Sequence, residues 1–194
     1  MFTKKIVYND ILLLYELSER IFNAFDEKHF IVAELRDFVR NDSMIRGLEF
    51  NMPQDEKRVL PALLGETAKR FSWFIPENET EVWDSEGNSF FVKETYSGEE
   101  FFSLIQNECK IVFLKLQAYS NETENKDIKT YGEYLKSRCT AIVLICDCEE
   151  AEIYAKDEDF LYTVKQNAQT NLSCRVEIKT DENDGRTGME IITS

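Results

Sequence analysis

Five residues are of the types that acid–base chemistry uses, though their spacing does not fix their geometry. Asp147 directly follows AIVLIC at 141–146, the most apolar run of the chain; Tyr154 lies in the next strand-like stretch; Asp181, Asp184 and Arg186 stand together in TDENDGRTG. A carboxylate at the end of a buried strand sits where clefts form, and burial lifts its pKa toward the working range of a general acid or base. If the last hairpin neighbours that strand, the five share one rim, and two carboxylates with an arginine suffice for proton transfer. The same residues have a plainer reading. Asp starts turns, and 180–188 has the composition of a polar turn between two strands.

Most other chemistries lack their residues. His29 is the only histidine, so any Ser–His–Asp or Cys–His arrangement would have to be built on it. It lies in DEKHF, a polar joint between two helical patterns, and reads as a solvated residue. Gly185 and Gly188 match neither a P-loop nor a dinucleotide-binding spacing. Asp181, Asn183 and Asp184 imitate the start of a calcium loop, but glycine arrives one position early and Ile192 stands where the closing Glu belongs. The five cysteines are Cys109, Cys139, Cys146, Cys148 and Cys174. Cys146 and Cys148 fall on one side of a strand without a second Cys or His pair to complete a zinc tetrahedron. The expectation is free thiols, no metal, no cofactor, and a reducing cytoplasmic setting.

The elements that must position these groups follow from periodicity. Leu14, Leu17, Ile21 and Phe25, then Ile31, Leu35 and Phe38, recur at helical spacing on either side of DEKH, predicting an N-terminal helical hairpin over residues 1–43. Its apolar stripe would pack on the rest of the protein or mediate self-association, giving a homo-oligomer through residues 1–43. From residue 44 to 194 the pattern becomes that of an α+β domain. Strands are expected at 44–52, at 73–75, at 82–84 paired with 90–92 as a hairpin, and at 110–119. Further strands are expected at 141–146, 152–155, 175–179 and 189–192. Helices are expected from 59, with Pro61 forcing a late start or a bend, after Ser97, over 131–137 behind the Thr130–Glu133 capping box, and after Asp157. Strands arriving consecutively, unlike a regular βαβ alternation, predict a mixed or antiparallel sheet with helices mainly on one face.

Several blocks in residues 44–192 carry a family resemblance: IRGLEFNMP, KIVFLKLQAYS, TYGEYLKSRC, LICDCEEAEIYAKD and TDENDGRT. Together they resemble an uncharacterised family of small proteins of Gram-positive bacteria, classed as a domain of unknown function. The resemblance implies no catalytic residues. Residues 1–43 lie outside it.

Charge narrows the partners. Acids outnumber bases 37 to 23 across 194 residues, a formal charge of −14. Residues 1–43 hold eight acids and six bases, so the remainder carries −12 of that charge. Nucleic acid and anionic membrane both need phosphate neutralised by Lys and Arg, and neither is expected as a ligand. The N-terminus lacks a signal-peptide pattern, and no window reaches the ~18 uninterrupted apolar residues of a membrane span. The sequence expectation is a non-enzymatic binding protein, of the kind that serves as an immunity or antitoxin-like inhibitor of a basic protein. The alternatives are a small enzyme using the carboxylate/arginine group and, more weakly, a DNA mimic with carboxylates in a regular double row.

Overall fold

A computed structural model describes residues 45–191 apart from 54, 55, 122, 123, 125 and 148. The hairpin expected over residues 1–43, and the self-association assigned to it, lie outside the described residues.

Eight strands form one antiparallel system: β1 (Ile45–Asn51), β2 (Ser72–Phe74), β3 (Glu81–Trp83), β4 (Thr95–Tyr96), β5 (Lys110–Tyr119), β6 (Cys139–Cys146), β7 (Glu150–Ala155) and β8 (Val176–Thr180). Their order is β4-β2-β5-β6-β7-β1-β8, with β3 beside the first half of β5. Among the described residues there are four α-helices: α1 (Val59–Leu64), α2 (Gly98–Ile105), α3 (Tyr131–Lys136) and α4 (Glu158–Asn171). The fold is α+β, and every strand pair is antiparallel.

Local chemistry explains most boundaries. Ser97 accepts from the Glu100 amide while Glu100 reaches back to the Ser97 amide, and Thr130 and Glu133 repeat the exchange at α3. Asp157 caps α4 by accepting from the Phe160 amide. Pro61 is the third residue of α1, within the first turn where backbone N–H groups have no helical partner, so the helix tolerates it without bending. The α-helix then ends at Gly65, φ 49°, and tightens into a 3-10 segment over Gly65–Arg70. Two expected strands are absent. At 90–92 only one bridge forms, Trp83 with Ser89, because Tyr96 Oη takes the Val92 and Lys93 amides that a ladder would need. At 189–191 the chain runs extended beside 129–130, with one bridge between Thr130 and Gly188.

Alternation divides the sheet into two unlike faces. Leu48, Phe50, Leu114, Leu116, Val143, Ile145, Ala151 and Ile153 project into the larger core, which α1, α2 and α4 cover. There Trp73 stacks on Phe101 with centroids 4.5 Å apart and donates its indole N–H to the Ala68 carbonyl at 2.8 Å. The other face carries Ile142 and Leu144 but also Lys115, Gln117, Glu152, Tyr154 and Glu49, beneath α3 and the chain ends around it. The run at 141–146 is therefore buried on both faces.

The outer edge at β8 is blunted locally. Asn183 folds back so that its amide oxygen accepts from the Thr180 N–H at 2.7 Å and its NH2 donates to the Ile178 carbonyl at 3.0 Å, the pairing that another strand would make.

Lys115 is fully buried in the middle of β5. Its ammonium donates to the Ile128 carbonyl at 2.7 Å and lies 3.3 Å from Glu79 Oε2. It also lies 2.5 Å from Asp127 Oδ1, an ion pair without hydrogen-bond alignment. Lys129 bridges the same two carboxylates, at 2.5 Å each, and adds Glu190 at 3.0 Å. Truncating Lys115 removes a cation from beside the buried Glu79 carboxylate and leaves its own place in the core unfilled. Lys115→Ala is expected to cost about 3–5 kcal/mol by urea unfolding; a loss under about 1 kcal/mol would show that the network is dispensable.

Cys109, Cys139, Cys146 and Cys174 are free. Burial pushes the Cys109 thiol up to about 11 and the Cys139 thiol up to about 12 from a starting value of 9.0. The folded state therefore keeps protons that the unfolded chain releases above pH 9. The stability these thiols contribute is complete below pH 9 and is lost as pH climbs toward 11–12. The urea midpoint should fall across that window, and less steeply in Cys109→Ala. A flat midpoint to pH 11 would contradict this.

Candidate functional site

Three short sequences with one alternation build the polar face: GLEFN in β1, EAEIYA in β7 and VEIKT in β8. In each, apolar residues point toward the helices and charged ones point away. The register then sets Glu49 directly opposite Glu152 on one side and Glu177 on the other. Three glutamates stand in a row across three strands, spaced by roughly 4.7–4.9 Å of backbone. Glu150 lies one pleat along β7, on the same face. Directly opposed like charges are unfavourable, and two cations offset them. Lys179 pairs with Glu49, and Arg186 Nη1 donates to Glu152 Oε1 at 2.7 Å. Glu150 and Glu177 are exposed.

The chain after β8 turns back over this face. Asp184 N donates to the Thr180 carbonyl at 2.9 Å, and Asp184 Oδ1 accepts from the Arg186 N–H at 3.0 Å. Arg186 also donates from Nε to the Gly188 carbonyl at 2.8 Å and from Nη2 to the Glu190 carbonyl at 2.9 Å. One guanidinium thus ties the terminal segment to β7. Arg46 does similar work across the turn. It pairs with Asp181, donates to the Asp184 carbonyl at 3.2 Å, and lies 4.6 Å above the Tyr131 ring. Its hydrogen bond to Asp181 holds the guanidinium above its ordinary value. Gly47 is required between these groups, since a Cβ there would meet the Ile153 carbonyl oxygen at 2.2 Å.

The expected site residues are distributed as follows. Tyr154, Asp184 and Arg186 come together: the Tyr154 hydroxyl donates to Glu152 Oε2 at 2.9 Å, on the carboxylate that Arg186 holds. Asp181 joins them through Arg46. Asp147 occupies the β6–β7 turn at φ 52°, exposed, where its charge helps raise the Cys146 thiol. Burial and then the neighbouring Glu152 drive the Tyr154 phenol far above its normal range. Glu152 spends one oxygen on Tyr154 and the other on Arg186. Ligand oxygens of Glu49, Glu150 and Glu152 fall within 4.8 Å of one another. Lys179 and Arg186 already neutralise two of the three, so the group is charge-compensated from within the protein.

Glu49, Glu152, Lys179 and Arg46 were not among the expected site residues. For Glu49 and Glu152 a signal was present in the glutamates alternating with apolar residues in GLEFN and EAEIYA; Arg46 and Lys179 carried none. Removing the clamp should matter for folding. Arg186→Ala is expected to lose roughly 1–3 kcal/mol, and Arg186→Lys should not restore it, because an ammonium lacks the fork that reaches three acceptors. Hydrogen exchange at 187–190 would report the loosened segment; unchanged protection there would rule the clamp out.

A family model described as "Protein of unknown function (DUF2691)" matches residues 45–190. "Uncharacterized protein YncE" of Bacillus subtilis (strain 168) is 26% identical over 162 residues, covering 76% of this chain and 100% of that protein. No solved structure matches.

Proposed function

The chain belongs to the DUF2691 family, described as of unknown function, and we propose that it is a non-enzymatic binding protein that docks on a basic protein partner. One observation supports this reading above the others: the row Glu152–Glu49–Glu177 with Glu150 beside it, set on rigid strands. The strands fix the backbone positions of the row before any partner arrives. Lys179 and Arg186 offset Glu49 and Glu152, so the field that attracts cationic surfaces and speeds encounter comes from the exposed Glu150 and Glu177. An immunity or antitoxin-like inhibitor, working in a reducing cytoplasm against a basic enzyme, is the biological role that this surface suits. The row is single, so it suits a basic protein better than it imitates the two phosphate strands of DNA.

A small enzyme is the second reading, favoured by the meeting of Tyr154, Glu152 and Arg186. It asks Glu152 to release a partner and act as base, and both its oxygens are engaged.

Asp184 is buried and Asp181 is paired with Arg46, so reversing them would disturb the fold as well as the surface. The exposed pair Glu150 and Glu177 makes the cleaner test. A partner captured by the full chain and identified should be basic. Its association rate should fall at least about tenfold between low and physiological salt, and again in Glu150→Lys/Glu177→Lys, with dissociation little changed. A partner that is acidic, or an association indifferent to salt and to the double reversal, overturns the reading.

A further inference from the structure

A second surface lies at the far end of the strand order, between the segment after β3 and helix α2. Val92 is 85% exposed, the most exposed of the large hydrophobic side chains among the described residues. It is not on a loose loop. Tyr96 Oη, on a ring that is almost wholly buried, accepts from the Val92 N–H at 3.0 Å and the Lys93 N–H at 3.2 Å. Phe90 and Phe91 anchor the chain from below, packed edge to face with centroids 5.1 Å apart. Asp84 secures the preceding turn by accepting from the Glu86 and Asn88 amides at 2.9 and 2.8 Å. The fold therefore holds an isopropyl group in water on a braced backbone. A single exposed valine is ordinary; its surroundings make this one informative.

Val92, Leu104 and Asn107 separate two open depressions of about 610 and 540 Å3. The first is rimmed by Glu99 and Glu100, the second by Glu86 and Glu108. Glu100 is engaged by Lys93 at 3.0 Å, and Glu108 lies 3.8 Å from Lys57 across an exposed gap. Acids thus flank an apolar knob on both sides, and the depressions that hold them open to solvent. Apolar contact at the centre with charges at the rim is the layout of a protein-binding surface.

We infer that the Val92 knob and its two acid-rimmed depressions bind a basic segment of a protein partner, one in which lysine or arginine alternates with apolar side chains. The apolar side chains would pack on Val92 and Leu104, and the cationic ones would enter the depressions on either side. The inference shares with the proposed function only the sign of the partner's charge; the surface is separate from the glutamate row.

The test titrates the full, isotope-labelled chain with a short synthetic peptide of alternating Lys and Leu, with Lys/Ser and Glu/Leu peptides alongside. Saturable shifts of the Val92, Ser103, Leu104 and Asn107 amides are expected with the Lys/Leu peptide alone. Val92→Ser should weaken that binding about tenfold while leaving Tm unchanged, since the side chain it replaces is exposed. Glu86→Lys with Glu108→Lys should weaken it further. Equal binding of the Lys/Ser peptide, indifference to Val92→Ser, or no saturable binding would overturn the inference. Shifts confined to Glu49, Glu150, Glu152 and Glu177 would overturn it while sustaining the proposed function. Concentration-dependent shifts at Val92 without peptide would assign the surface to a second copy of the chain instead.

Discussion

A charged ammonium with no access to water sits at the centre of β5, and much of the architecture can be understood as the means of satisfying it. Lys115 needs acceptors on the sheet face away from the helices. Its three acceptors come from two places: Glu79 in the turn between β2 and β3, and Asp127 and the Ile128 carbonyl in the loop before α3. Lys129 extends the set to Glu190 near the C-terminus, and Glu79 also accepts from the Ile191 amide. These segments have little regular structure of their own, a 3-10 turn at Glu77–Glu79 and one bridge between Thr130 and Gly188. The network gives them a fixed place over the sheet, and α3 is held between them with Tyr134 buried against β6. A buried ion set of this kind adds less net stability than an apolar core of the same volume. What it supplies is a single arrangement for chain that could otherwise lie in many.

The two faces of the sheet thus solve different problems. The helix-covered face is closed by apolar packing, with aromatic rings meeting edge to face or stacked around Trp73 and Phe101. The opposite face is closed by ion pairs and backbone capture: Lys115 and Lys129 over β5, Arg186 and Arg46 over β7 and β1. Compensation is incomplete at Glu150, the first residue of β7, and at Glu177 on the edge strand β8, which both meet solvent. The excess of acid over base in the composition therefore becomes a property of place. That is why the exposed ends of the acidic row, Glu150 and Glu177, rather than the Tyr154–Glu152–Arg186 junction, bear the proposed reading: at the junction each polar side chain already has a partner inside the protein.

Much of the fold was legible in the chain. The capping boxes at Ser97 and Thr130 and the Asp157 cap mark helix starts because one side chain and one amide decide them locally. The strands at 110–119 and 141–146 announce themselves through length and β-branched content. Where reading failed, a distant group had intervened. The residues at 90–92 have strand composition, yet past Phe90 the Tyr96 hydroxyl takes the Val92 and Lys93 amides. The residues at 189–191 resemble a strand, yet they are fixed by Lys129 and Glu79 rather than by a ladder. Of the expected site, Tyr154, Asp184 and Arg186 were found together, Asp181 beside them, and Asp147 in a turn. The partners that give them meaning, Glu152, Glu49 and Arg46, went unremarked because each looks in sequence like an ordinary surface charge.

The sequence by itself determined the class of the protein: α+β content, helix starts, the doubly buried strand, and an acidic balance concentrated after residue 43. These depend on short-range periodicity and on counting, which need no knowledge of neighbours. Only the tertiary structure decided the strand order that inserts β1 between β7 and β8, and with it the alignment of Glu49 against Glu152 and Glu177. It also decided that Lys115, one lysine in an apolar strand, would be buried and not exposed. Register and burial are set by contacts between residues far apart in the chain, and the free energy of those contacts belongs to pairs that no single stretch of sequence contains.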